Sequence, residues 1–185
     1  MLPPVIFQKS VERYLLICAL GFAGVGALSD IRTRRIPNWL TYTGLGAALL
    51  VRGVFAGWPG LRSGLAGLVL GGGLFLVLFL LGAMGGGDVK LMAAVSAWAG
   101  PSQVIAISIV SGIAGGILAA GYVILGRRIR LTVLNTMLLL EHHLSSGLRP
   151  HPLFNVQDAV STRIPYAVAI AMGTLFCVAN AFGWR

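Results

Sequence analysis

Apolar residues fill this sequence in long, nearly uninterrupted blocks rather than in alternating or one-sided patterns. Six such runs lie near 14–29, 39–56, 63–82, 88–100, 103–125 and 164–183. A helix needs about 20 apolar residues to cross a bilayer, and most of these runs are of that order. Glycine and proline mark the joins, at Pro37, Trp58-Pro59-Gly60, Gly85-Gly86-Gly87, Gly100-Pro101 and Gly126. Barrel strands would alternate apolar and polar residues, so the uniform runs predict helices. The expectation is an all-α integral membrane protein of about six transmembrane helices, forming a single domain over 1–185. The 88–100 run is short for a crossing. It fits either a locally thinned bilayer or a helix kinked at Pro101 with a partly buried start. The less apolar stretch 131–162 reads as a loop with an interfacial helix around Leu131–Leu144.

Composition supports lipid as the main solvent. Of 185 residues, 57% are hydrophobic and 10% charged, against about 25% charged in soluble domains. A chain of this length cannot hide so much apolar surface from water. The net charge of +9 reflects scarce acids as much as abundant bases. The bases sit in short clusters between apolar runs, a pattern of membrane topology rather than of nucleic-acid binding. Cys18 and Cys177 lie inside apolar runs without a pairing or zinc spacing and read as small hydrophobes. The first run, preceded by Lys9 and Arg13, resembles a signal peptide in length, but the apolar runs that follow favour a retained span.

Six crossings divide the basic residues between two sides. Nine (Arg32, Arg34, Arg35, Lys90, Arg127, Arg128, Arg130, Arg149 and Arg163) fall on one side, and five (Lys9, Arg13, Arg52, Arg62 and Arg185) on the other. The positive-inside rule makes the first side cytoplasmic. Asp30 and Asp88 then share the cytoplasmic side, while Trp39, Trp58 and Trp184 fall near interfaces.

A carboxylate at the edge of a membrane span is costly and points to function. Two of the five acids sit there, in Asp30-Ile31-Arg32-Thr33-Arg34-Arg35-Ile36-Pro37-Asn38 and in Gly85-Gly86-Gly87-Asp88-Val89-Lys90-Leu91. Each has a plainer explanation. Asp88 could cap a helix after a flexible turn, whose glycines allow conformations closed to other residues and let another chain approach closely. Asp30 could pair with the neighbouring arginines. Both together, on one side of one membrane, weaken those explanations.

These segments resemble a known family. Gly85-Gly86-Gly87-Asp88 is similar to the Gly-x-Gly-Asp motif of intramembrane aspartyl proteases, and Val89-Lys90-Leu91 narrows the likeness to the type IV prepilin peptidases. Asp30 through Asn38 looks like that family's first catalytic segment. Arg163-Ile164-Pro165-Tyr166-Ala167 and the apolar residues after it look like its C-terminal helix. The resemblance spans about 14–183. It implies a catalytic pair of Asp30 and Asp88, with Gly85, Gly87, Lys90, Pro37 and Asn38 as supporting motif residues. It implies no metal and no cofactor. The substrate would be a membrane-inserted prepilin or pseudopilin with a basic leader, cut after a glycine at the cytoplasmic face of a bacterial inner membrane. Larger members carry paired Cys-x-x-Cys motifs and methylate the new amino terminus. This chain lacks those cysteines and is similar to the short class of tight-adherence (Flp-type) pili, which implies proteolysis alone.

Two carboxylates in a partly desolvated site cannot both ionise easily, so one keeps a proton and the pair can activate water. Lys90 is a candidate for tuning that pair by its charge, or simply a snorkelling lysine. Arg32, Arg34 and Arg35 suit lipid head groups better than a basic leader. Glu141, His142, His143 and His151 satisfy no ligand spacing, and no serine-protease elbow is present. The rival classes are a proton- or ion-coupled transporter using Asp30 and Asp88 as relay carboxylates, and a non-enzymatic subunit of a pilus machine.

Overall fold

The structure, a computed structural model, describes residues 4–125 and 165–183, in which every regular element is helical. Helix α1 spans Pro4–Thr33, α2 Asn38–Leu80, α3 Gly86–Ala99, α4 Pro101–Leu125 and α5 Tyr166–Ala181. These helices cover all six apolar runs, the second and third being joined in α2. The all-α membrane class expected from the sequence is the class observed. Three helices, α1, α2 and α4, are long and apolar enough to cross a bilayer. The expected loop over 131–162, Arg163 and Trp184 lie outside the described residues.

Helix α1 begins about ten residues before its apolar run, because Gln8, Lys9, Glu12 and Arg13 are sound helix formers. Apolar runs mark lipid depth rather than helix ends. The 43 residues of α2 would span about 65 Å if straight, roughly twice the bilayer core. They do not run straight. Gly57 takes φ 59° and ψ −151°, a backbone open in practice only to glycine, and splits α2 into arms 38–56 and 58–80. The sequence places this break at Trp58-Pro59-Gly60. Proline instead opens the second arm, where its missing N–H costs nothing.

Helix α3 touches every other helix, and Leu91, Met92 and Ala94 through Ala99 are buried. At 14 residues it is about 21 Å long. Protein rather than lipid surrounds it, so its shortness creates no mismatch with the bilayer. It ends at Gly100, with φ 81°, and Pro101 starts α4. The packing core is Phe75, Leu91, Met92, Val95, Ile107 and Ile170. Outside, α4 exposes Ile105, Ile109, Ile113 and Ile117. That one-sided apolar stripe at helical spacing suits a lipid face.

Helices α1 and α5 run antiparallel. The Ala167 amide meets Asp30 at one end, and the Arg13 guanidinium lies 5.7 Å over the Phe182 ring at the other. The second arm of α2 packs tightly on α3, and a Cβ at Gly67 would collide with the Ser96 carbonyl oxygen. That oxygen already accepts the Gly100 amide at 2.8 Å, so it has little freedom to retreat. Gly67→Ala should therefore cost about 1–3 kcal/mol, read as a lower unfolding midpoint in detergent. Gly73→Ala, with nothing near its would-be Cβ, should be neutral or slightly stabilising.

Arg52 departs from its expected place. The charge count put it in an outer loop, but it is 3% exposed and sits inside the bundle. Its Nε donates to the Ala97 carbonyl and one terminal nitrogen to the Trp98 carbonyl, both at 2.8 Å. The other terminal nitrogen reaches Ser63 Oγ at 3.1 Å. The last carbonyls of any helix lack partners within it. At the end of α3 a guanidinium supplies them.

Candidate active site

Three helix ends converge at the end of the bundle opposite Arg52. Helix α1 brings Asp30 there, one turn before its last residue. Helix α3 brings Asp88 in its first turn, behind the N-cap Gly85. Helix α5 brings its N-terminus, opened by Pro165. The sequence separates these elements by more than 130 residues. The antiparallel course of α1 and α5 around α3 closes that gap.

Asp30 is buried. Its Oδ2 accepts the Ala167 N–H at 3.3 Å, one of the amides that a helix start leaves free and that favour a negative partner. Asp88 is half-buried. Its amide donates to the Gly85 carbonyl at 3.1 Å, and the Gly85 backbone bonds its carboxyl. The two carboxylates lie within reach of each other's charge, and the Arg34 charge also acts on Asp30. Tyr166 lies in the field of Asp88. Its ring meets Phe75 edge-on, with centroids 6.1 Å apart, and presses on Gly115 of α4.

The supporting residues take distinct places. Pro37 precedes α2 as its N-cap, with φ −64° and ψ 138°. Asn38 starts that helix and accepts the Lys90 ammonium at 2.9 Å. Lys90 also lies 5.7 Å from the centre of the Tyr42 ring. Gly85, Gly86 and Gly87 do not use the unusual backbone conformations expected of them. None has a positive φ; the positive-φ glycines are Gly57, Gly82, Gly100 and Gly183. Close approach within the chain is seen at Gly85, whereas Gly87 has room for a Cβ at ordinary contact distance. A Cβ at Gly85 would lie 3.3 Å from Asp88 Oδ2, and one at Gly87 would lie 3.5 Å from the Ile36 Cβ.

Sequence reasoning missed the direct part of Ala167 and Tyr166. Pro165 before an apolar run was the available signal, since a helix start aims free amides at whatever faces it. Among the described residues, no group of three His, Cys, Asp or Glu side chains could hold a metal ion. Glu141, His142, His143 and His151 lie outside them.

A buried and a half-buried carboxylate from two helices, within each other's field and steadied by backbone amides, can hold and activate a water between them. The model of the type IV leader peptidase family matches residues 15–120, more than half of the chain. That match includes both aspartates and stops short of α5. No curated protein and no solved structure matches the chain.

Proposed function

The chain belongs to the type IV leader peptidase family, and from that premise we propose that it is an aspartic endopeptidase whose catalytic pair is Asp30 and Asp88. The observation that carries this reading is the meeting of those two carboxylates, each at the end of an apolar helix, at one end of a membrane bundle. Peptide hydrolysis needs a base for water and an acid for the carbonyl and the leaving amine. In the proposed reaction the ionised carboxylate takes a proton from water, whose oxygen attacks the scissile carbonyl. The protonated partner hydrogen-bonds that carbonyl. The C–N bond then breaks as the leaving nitrogen takes a proton from the pair. Which carboxylate holds the proton is a property of the pair as a unit. The Ala167 amide, bonded to one oxygen of Asp30, supports this reading by restraining that carboxylate.

The substrate proposed is a membrane-inserted Flp-type pilin or pseudopilin precursor. Its basic leader would lie at the cytoplasmic face of a bacterial inner membrane. Charge supports that orientation. With Arg52 withdrawn into the bundle, the difference becomes nine basic residues against four. The absence of Cys-x-x-Cys pairs supports cleavage without methyl transfer. The test is co-expression with a short precursor carrying a basic leader, a glycine and an apolar helix. The expected product starts directly after the glycine and has an unmethylated amino terminus by mass spectrometry. A methylated terminus would overturn the short-class assignment, and an intact precursor would overturn the peptidase assignment for that substrate class.

A further inference from the structure

The four residues 34–37 that join α1 to α2 are fastened at both ends. At the α1 end, Ser29 Oγ donates to the Arg35 carbonyl at 3.1 Å, and the single Thr33 hydroxyl proton is shared between the Ser29 carbonyl at 2.9 Å and the Arg35 carbonyl at 3.0 Å. The Arg34 amide closes on the Asp30 carbonyl at 2.8 Å, with Arg34 at φ 52°. That is a left-handed helix cap, and a non-glycine residue adopts it only at a cost. In the middle, Ile36 lies over Gly87. At the α2 end, the Lys90 ammonium reaches back from α3 to Asn38 Oδ1 at 2.9 Å and lies over the Tyr42 ring. The linker thus leaves α1 within one turn of Asp30 and is tied to α3 two residues beyond Asp88.

We propose that Lys90 is a positioning residue: its bond to Asn38, backed by Tyr42, fixes the start of α2 to the first turn of α3 and so sets the spacing of Asp30 and Asp88. This rests on the reading of those two aspartates as the catalytic pair. It differs from a role for Lys90 through its charge on that pair: the ammonium keeps its charge beside the neutral Asn38 amide, but its bond is directed to α2. A bond between helices, rather than a field, then transmits its effect. A misplacement of about 1 Å can cost on the order of a hundred-fold in rate, so a tie at this point has leverage.

The test uses the full chain in lipid nanodiscs and a synthetic precursor peptide with a basic leader, a glycine and an apolar helix. Lys90→Met and Asn38→Ala should each lower kcat by about ten- to a hundred-fold with KM nearly constant. The double variant should be no worse than the poorer single one, because both remove one interaction. The pH profile of kcat should keep its shape, and Asn38→Asp, which retains an acceptor for the ammonium, should restore most of the rate. Multiplying effects, or a shifted pH profile in Lys90→Met with Asn38→Ala at wild-type rate, would overturn the tie in favour of an electrostatic role. Asn38 is exposed, so its truncation carries the test if Lys90→Met fails to accumulate. Wild type and Asp88→Asn run alongside: an inactive wild type or an active Asp88→Asn defeats the peptidase reading itself, separately from the tie.

Discussion

Asp30→Asn and Asp88→Asn should each lower leader cleavage by at least about a thousand-fold, the upper range for losing a positioned acid or base, while leaving the protein folded in the membrane. An amide copies the shape of a carboxylate but can neither take a proton from water nor hold the acidic proton. In Asp30→Asn the side-chain oxygen can still accept the Ala167 amide, so the start of α5 should stay in place. The measurement is cleavage of a co-expressed precursor in isolated membranes, with each variant at wild-type abundance. The double variant should be no slower than either single one, since the two groups act as a unit. Cleavage surviving in either would remove that residue from the chemistry.

The same pair of variants separates the peptidase from its rivals. A proton-coupled transporter needs carboxylates along a path through the bilayer, and relay acids sit near the midplane. Here both acids lie at helix ends, Asp30 one turn from the end of α1 and Asp88 in the first turn of α3. A non-enzymatic pilus subunit would tolerate both substitutions and process nothing. Loss of cleavage in each variant excludes the subunit. The end-on placement of the acids, inside a family of leader peptidases, argues against the transporter.

Helices were legible because bilayer thickness forces long uniform apolar runs, and that signal is hard to hide. Asp30 and Asp88 stood out because acids are rare in this chain and each adjoined a run with its own Gly or Pro punctuation. What stayed hidden involved groups that composition does not distinguish. The Ala167 contact with Asp30 is a backbone amide, invisible in a side-chain alphabet. The glycines before Asp88 promise both freedom of φ and close approach; the first is not used, and small volume counts at Gly85, beside the Asp88 carboxylate. Lys90 was weighed by its charge, and its partner Asn38 lies 52 residues away. Arg52 was counted as a loop charge because nothing along the chain shows that a helix end, 45 residues on, lacks partners for its carbonyls.

Arg52 yields the largest expected effect on stability. Hydrogen bonds to a charged group contribute about 1.5–3 kcal/mol each, and an orphaned buried acceptor costs about 1–3 kcal/mol. Arg52→Leu fills much of the space but leaves the Ala97 and Trp98 carbonyls without their donors. It also unlinks the two arms of α2, which Arg52 bridges through Ser63. With two backbone acceptors orphaned, a loss of about 2–6 kcal/mol is expected, enough to make the variant accumulate poorly. Arg52→Lys should fall between, since one ammonium cannot reproduce a planar fork serving three acceptors. Ser63→Ala, which removes the only hydroxyl of the three, should cost least. The measurement is the unfolding midpoint in one detergent for the four proteins, and the ordering wild type, Ser63→Ala, Arg52→Lys, Arg52→Leu is the content of the prediction. The opposing effect is the desolvation of the guanidinium, which can equal what its bonds return. If Arg52→Leu melts with wild type, desolvation has cancelled the bonds, and the Gly57 break and the Gly67 contact with Ser96 hold the α2 hairpin on α3 without it.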